Sequence, residues 1–177
     1  MKSVKIDRYL RAGIGALALV FVYVIYAAIY EHIVVAGDTA PSFTITADNG
    51  KTVSLPDFGG KVLILNFWAS WCAPCVRETP SLSQFAKDYA DKGVVVLGIS
   101  VDQKVDAYQN FLRRFVPNFL TVRNDKIHET YGTYMYPETY IIDSKGKVVK
   151  KVPETPDSPA EVNWADPSVR AYINGLL

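Results

Sequence analysis

The sequence predicts an α/β domain, a central mixed sheet flanked by helices, set behind one membrane-spanning helix. Three observations carry this. Residues 12–30 are apolar and without a charge. Two continuous apolar runs, 62–68 and 94–101, read as strands covered on both faces, the pattern of a parallel sheet. Between them Leu82, Phe85, Ala86 and Tyr89 continue a helical stripe that starts near residue 73.

The apolar run comes first. A helix over 12–30 rises about 30 Å, the thickness of a bilayer core. Signal-peptide cores are shorter, about 7–15 residues. An uncleaved anchor is therefore expected, although Val34-Val35-Ala36 offers a weak cleavage site. Lys2, Lys5, Arg8 and Arg11 precede the span, while Glu31 and Asp38 follow it. The positive-inside rule then leaves residues 1–11 in the cytoplasm and the rest on the extracytoplasmic side of the cell membrane. Residues 31–41 are expected to be a linker and 42–177 the folded domain.

Within the domain, 43–46 and 52–54 around Asn49-Gly50 read as a small hairpin. Gly59-Gly60 breaks to the strand at 62–68, and Gly93 ends the helix before the strand at 94–101. A helix over 102–115, a short strand over 119–122 and a short helix over 125–131 form a helix-strand insertion. Residues 138–143 and 147–152 flank Ser144-Lys145-Gly146 as an antiparallel hairpin. Residues 153–167 are a Pro-rich loop, and Asp166-Pro167 starts a final helix to residue 176. The first eleven residues carry four basic side chains and one acidic, which leaves 15 basic against 17 acidic of the chain's 19 and 18. That balance gives no nucleic-acid surface.

Both cysteines lie in Trp71-Cys72-Ala73-Pro74-Cys75. Haem attachment would need His after the second Cys, and Val76 stands there. A structural zinc needs four ligands, and only His32 and His128 supplement the two thiols, so no metal is expected. A purely structural bridge is a poor device at this spacing, since closing so short a loop yields about 2 kcal/mol against about 3 for fifteen residues. Reversible dithiol chemistry remains, with the Cys72–Cys75 disulfide itself as the redox group and no further cofactor. Cys72, at a helix N-terminus, is favoured as a thiolate and is expected to be the exposed attacker. Pro74 suits the first turn, and Cys75 is expected to be the resolving thiol.

Asn66-Phe67-Trp68-Ala69-Ser70-Trp71-Cys72-Ala73-Pro74-Cys75, followed by Pro80 and by Tyr136-Pro137-Glu138-Thr139, resembles the thioredoxin superfamily over residues 41–152. The closer similarity is to its membrane-anchored ResA/TlpA/CcmG(DsbE)-like branch of thiol:disulfide oxidoreductases. The resemblance implies a thioredoxin-like fold with an extra N-terminal β-hairpin, and a cis Tyr136-Pro137 bond lying against the disulfide. It implies as substrates the disulfides of exported proteins, such as cytochrome c apoproteins during cytochrome c maturation. An oxidising compartment makes the spent disulfide hard to reduce locally, so a transmembrane thiol electron donor drawing on cytosolic thiols is expected.

Thioredoxin has a buried Asp where Asn66 stands, and the resemblance makes Glu78 the acid that tunes the thiols instead. Glu78 falls one helical turn after Cys75. The competing expectation for Glu78 is a solvated acid that complements the helix dipole. Trp68 is expected in the core, and Trp71 on the partner-docking surface. The edge at Pro137 is expected to be exposed and to take up the partner backbone as an added strand. Tyr131, Tyr134, Tyr136 and Tyr140 are expected mainly to pack around this end of the domain. Trp164 is expected to cover an apolar patch, and His128 to lie on a helix surface. Two other activities compete: copper delivery, which calls for wider Cys spacing and a His in reach, and thiol peroxidase, whose usual upstream Thr pattern is missing.

Overall fold

The computed structural model describes residues 2–29, 33–46, 50, 52–153, 155 and 157–177. The chain divides into two compact units, Met1–Ile33 and Val34–Leu177.

In the first unit α1 (Lys2–Ile29) is one unbroken helix. Its Tyr9–Tyr26 segment is long and apolar enough to cross a membrane.

The second unit is built on a five-stranded sheet of order β5-β4-β3-β6-β7. In it β3 (Val62–Trp68), β4 (Val94–Ser100) and β5 (Leu120–Arg123) run parallel, whereas β6 (Glu138–Ile142) pairs antiparallel with both β3 and β7 (Val148–Val152). Every residue of β3 is buried, as its apolar run, interrupted only by Asn66, requires. On one face α2 (Ala73–Tyr89) and α5 (Pro167–Asn174) bury Leu82, Phe85, Tyr89 and Ile173 against Val62, Ile64 and Ile141. On the other face Phe67, Leu97, Ile99, Tyr131 and Tyr140 form the second core. The hairpin of β1 (Thr44–Thr46) and β2 (Thr52–Ser54) closes that face through Ile45 and Val53. Its turn at Asn49 lies outside the described residues.

Several boundaries differ from the sequence expectation, three of them for a plain physical reason. The linker expected over 31–41 already belongs to the domain from Val34. Val34 is fully buried and donates its N–H to the Tyr131 carbonyl at 3.2 Å, and Gly37 donates to Val148 at 2.7 Å. The helix expected from residue 102 is α3 (Val105–Phe115). Its start is delayed because Asp102 is buried as a hydrogen-bond acceptor for Ser70 and Ser100. The helix expected over 125–131 shrinks to α4 (Ile127–Thr130), where the Asn124 side chain accepts from the N–H groups of Lys126 and Ile127. The strand expected at 119–122 is shifted by one residue.

Gly98 on β4 is the tightest glycine in the sheet. A Cβ there would sit 2.9 Å from the Phe119 ring and from Trp68 Nε1, and 3.1 Å from Thr121 Oγ1. Those groups also form the Trp68 Nε1–H to Thr121 Oγ1 bond of 3.2 Å that fixes the end of β3. Gly98→Ala is expected to lower stability by about 1–3 kcal/mol through overpacking, measured by denaturant unfolding of the detergent-solubilised protein.

Candidate active site

The two cysteines sit where β3 leaves the sheet and α2 begins. The connecting loop is fixed by one buried carboxylate. Asp102 accepts from Ser70 N–H at 3.0 Å, from Ser70 Oγ at 2.7 Å and from Ser100 Oγ at 2.8 Å. Cys72 is the N-cap of α2, with Pro74 in the first turn. Cys72 and Cys75 form a disulfide, and the Cys75 N–H points at Cys72 Sγ from 3.2 Å. On reduction that N–H and the helix terminus favour a thiolate at Cys72.

Cys72 is buried, not exposed as expected. It is 5% exposed and Cys75 2%, because Trp68, Val101 and Tyr136 pack around the bridge. Trp68 is core, as expected. The exposed element is Trp71, at 66%, standing edge-on to Tyr136 with centroids 5.9 Å apart.

The Tyr136-Pro137 bond is cis, and so is Val152-Pro153, which nothing in the sequence singled out. Pro137 itself is buried rather than exposed. The exposed side chains just before it are Tyr134 and Met135, and Trp71 is exposed against Tyr136. The β3–β6 register ends at Phe67 opposite Glu138, so Tyr136 and Pro137 lie just past the paired strands. Of the four tyrosines, Tyr131 and Tyr140 are buried core, Tyr136 is half-buried and Tyr134 is exposed. Burial foremost, helped by Glu138 and Glu129, pushes the Tyr136 hydroxyl up to about 12, so it stays protonated. His128 lies on the other side of Tyr136, with its Nδ1 2.9 Å from the Thr133 carbonyl.

Asn66 is buried and donates to Thr139 Oγ1 at 2.9 Å, so a neutral hydrogen bond joins β3 to β6 where an acid would titrate. Glu138, which the sequence did not mark, is buried and pairs with Lys151 Nζ at 2.7 Å, while also accepting from the Tyr140 hydroxyl. A charge beside Pro137 in strand-forming sequence was its one signal.

Glu78 settles between its two expectations in favour of burial. It is 2% exposed, not solvated, and it faces the late loop rather than an open cleft. Trp164 Nε1–H donates to Glu78 Oε1 at 2.6 Å, and the Val162 N–H lies 3.4 Å from Oε2. Burial is the largest influence and raises the carboxyl to about 7 from an ordinary 4.5. The two donors oppose that rise, and the charge of Glu161 adds to it. Trp164 thus does cover apolar surface, its ring tilted against Phe85 with centroids 5.0 Å apart, but it also holds a titratable group.

Residues 36–151 match the model of the AhpC/TSA family. The thiol-disulfide oxidoreductase ResA of Bacillus thuringiensis subsp. konkukian is 35% identical over 118 residues, covering 66% of this chain and 68% of that protein. ResA of Bacillus subtilis is 34% identical over 137 residues, 75% of this chain and 76% of the relative. Among solved structures, a DsbE-type thiol:disulfide interchange protein from Chlorobium tepidum superposes with a TM-score of 0.66 at 28% identity, covering 82% of this chain and 96% of that one.

Glu78 makes stability pH-dependent. Its carboxyl binds a proton more tightly folded than unfolded, so the folded state holds more protons between about pH 4.5 and 7. Stability should therefore fall as pH rises through that window, by at most about 1.4 kcal/mol per pH unit, and level off above it. Glu78→Gln should flatten this slope in denaturant titrations run at several pH values.

Proposed function

The chain belongs to the AhpC/TSA family and is a thiol:disulfide oxidoreductase, and from that premise we propose that it is anchored in the membrane by α1 and reduces disulfides of exported proteins outside the cytoplasm. The observation that carries this reading is the Cys72–Cys75 bridge at the β3–α2 junction, with exposed Trp71 beside cis Pro137. Four basic residues ahead of the apolar span support the orientation. Cytochrome c apoproteins fit the chemistry. Their C-x-x-C-H pairs must be thiols to accept haem, and an oxidising compartment would close them.

The reaction follows from thiol exchange. Cys72 thiolate attacks one sulfur of the partner disulfide, and the other partner sulfur leaves as a thiolate that takes up a proton. Cys75 then passes its proton to the Glu78 carboxylate, one helical turn away, and attacks Cys72 Sγ. The second partner sulfur leaves and is protonated in turn. Two electrons have moved to the partner, and the enzyme holds the Cys72–Cys75 disulfide. No further cofactor takes part. Trp71, Tyr134 and Met135 form the docking surface, and the partner backbone lies beside Tyr136 and Pro137. A transmembrane thiol donor re-reduces the enzyme, and the anchor keeps donor and enzyme on one surface.

Cys75→Ser should trap partners as mixed disulfides through Cys72. These would be seen as dithiothreitol-sensitive adducts in membranes and identified by mass spectrometry, with cytochrome c apoproteins among them. Adducts formed by Cys72→Ser instead would exchange the roles of the two thiols. For topology, Lys145→Cys in a Cys72→Ser/Cys75→Ser background should react with a membrane-impermeant maleimide in intact spheroplasts. Labelling only after lysis would place the domain inside.

A further inference from the structure

The segment after β7 does more than close the fold. Residues 161–170 run back along α2 and are fastened to it at several points. Arg77 pairs with Glu161 at 2.7 Å near the start of α2. The Trp164 N–H lies 3.4 Å from Ser81 Oγ one turn further on. Arg170 then joins both partners, donating to the Trp164 carbonyl at 3.2 Å and pairing with Asp88 at 2.7 Å. Near the C-terminal end of α2, the Tyr89 hydroxyl donates to Asn174 Oδ1 at 3.0 Å. Between these fastenings the Trp164 ring lies on Phe85, 1% exposed, with its N–H on Glu78.

The pieces differ in purpose. A ring that only filled space could be Phe or Leu. Indole brings one donor and no acceptor, and here that donor ends on the only carboxylate buried along α2. We propose that Trp164 is a positioning residue for the thiol chemistry: the strap delivers its N–H to Glu78, fixes the carboxyl group one helical turn from Cys75, and so sets the pH window in which Glu78 takes the proton that Cys75 must lose. This rests on the role given to Glu78 above.

The surroundings of Glu78 point the same way. Its charged or titratable neighbours are Arg77 and, on reduction, Cys75 on its own helix; Glu161 on the strap; and Arg170, which acts through the Trp164 carbonyl. Lys150 of β7 lies beyond the indole, lining a cavity of about 160 Å³ with Val162, Trp164 and Tyr172. Arg77 is engaged outward by Glu161, so the indole and the Val162 N–H are the hydrogen-bond donors that favour ionised Glu78. Losing the indole N–H while keeping the ring leaves burial opposed only by the long Val162 N–H contact, and the carboxyl should protonate at higher pH.

The test is single-turnover reaction of the reduced full chain in detergent with a chromogenic aryl disulfide, whose second thiol release reports the attack by Cys75. The pH midpoint of that second phase should rise by about one unit in Trp164→Phe. It should vanish in Glu78→Gln. In the unaltered protein, the Trp164 indole N–H resonance should titrate with the same midpoint and become pH-independent in Glu78→Gln. That measurement decides the matter if Trp164→Phe does not fold. A purely structural ring would change stability or amplitude at every pH and leave the midpoint in place. Thus a folded Trp164→Phe with the unaltered midpoint, or a flat indole resonance in the unaltered chain, overturns the role of Trp164 while Glu78 keeps its own. A midpoint that survives Glu78→Gln overturns both, because the fault then lies with Glu78.

Discussion

The active site depends on the register of one strand. β3 is buried along its whole length and bonded on both sides, parallel to β4 and antiparallel to β6. Trp68 opposite Ser100 brings Asp102 to the loop that carries Ser70, and Phe67 opposite Glu138 brings Pro137 level with the cysteines. A shift of one residue would turn every β3 side chain to the other face and separate these groups. The chemistry therefore inherits its geometry from backbone hydrogen bonds between segments about thirty and seventy residues apart.

Around that frame four buried polar side chains are hydrogen-bonded or ion-paired to named partners. Asp102 takes Ser70 and Ser100, Asn66 takes Thr139, Glu138 takes Lys151 and Tyr140, and Glu78 takes Trp164. Removing one member of such a pair strands the other in a poorly solvated place. The first three tie a loop or strand to the sheet, and the last ties the late loop to α2. Glu78 differs from the rest in one respect: its carboxyl is poised near neutrality, so its charge is an adjustable quantity.

Much of this was legible in the residues. Continuous apolar runs mark β3 and β4, the helical stripe marks α2, and Asp166-Pro167 marks the start of α5. The C-x-x-C pair and its place at a helix N-terminus follow from spacing alone. What failed to show were contacts made by isolated residues without periodicity. Asp102 reads locally as the start of a helix, yet it serves a loop thirty-two residues earlier. Val34 and Gly37 read as linker because their bonds to Tyr131 and Val148 are made by backbone. Trp164 sits in a Pro-rich loop, and nothing near it in sequence points to a partner eighty-six residues away. Cys72 looks exposed from its motif because burial of the bridge comes from Val101 and Tyr136, which other elements supply.

The strap along α2 lies outside residues 36–151, the span over which the family model matches the chain. The thiols and the proline lie inside that span, whereas Trp164 and Val162, which hold Glu78, lie beyond it. A change confined to the C-terminal tail would alter the setting of Glu78. Grafting or exchanging such tails offers a handle on redox behaviour that leaves the cysteine loop untouched.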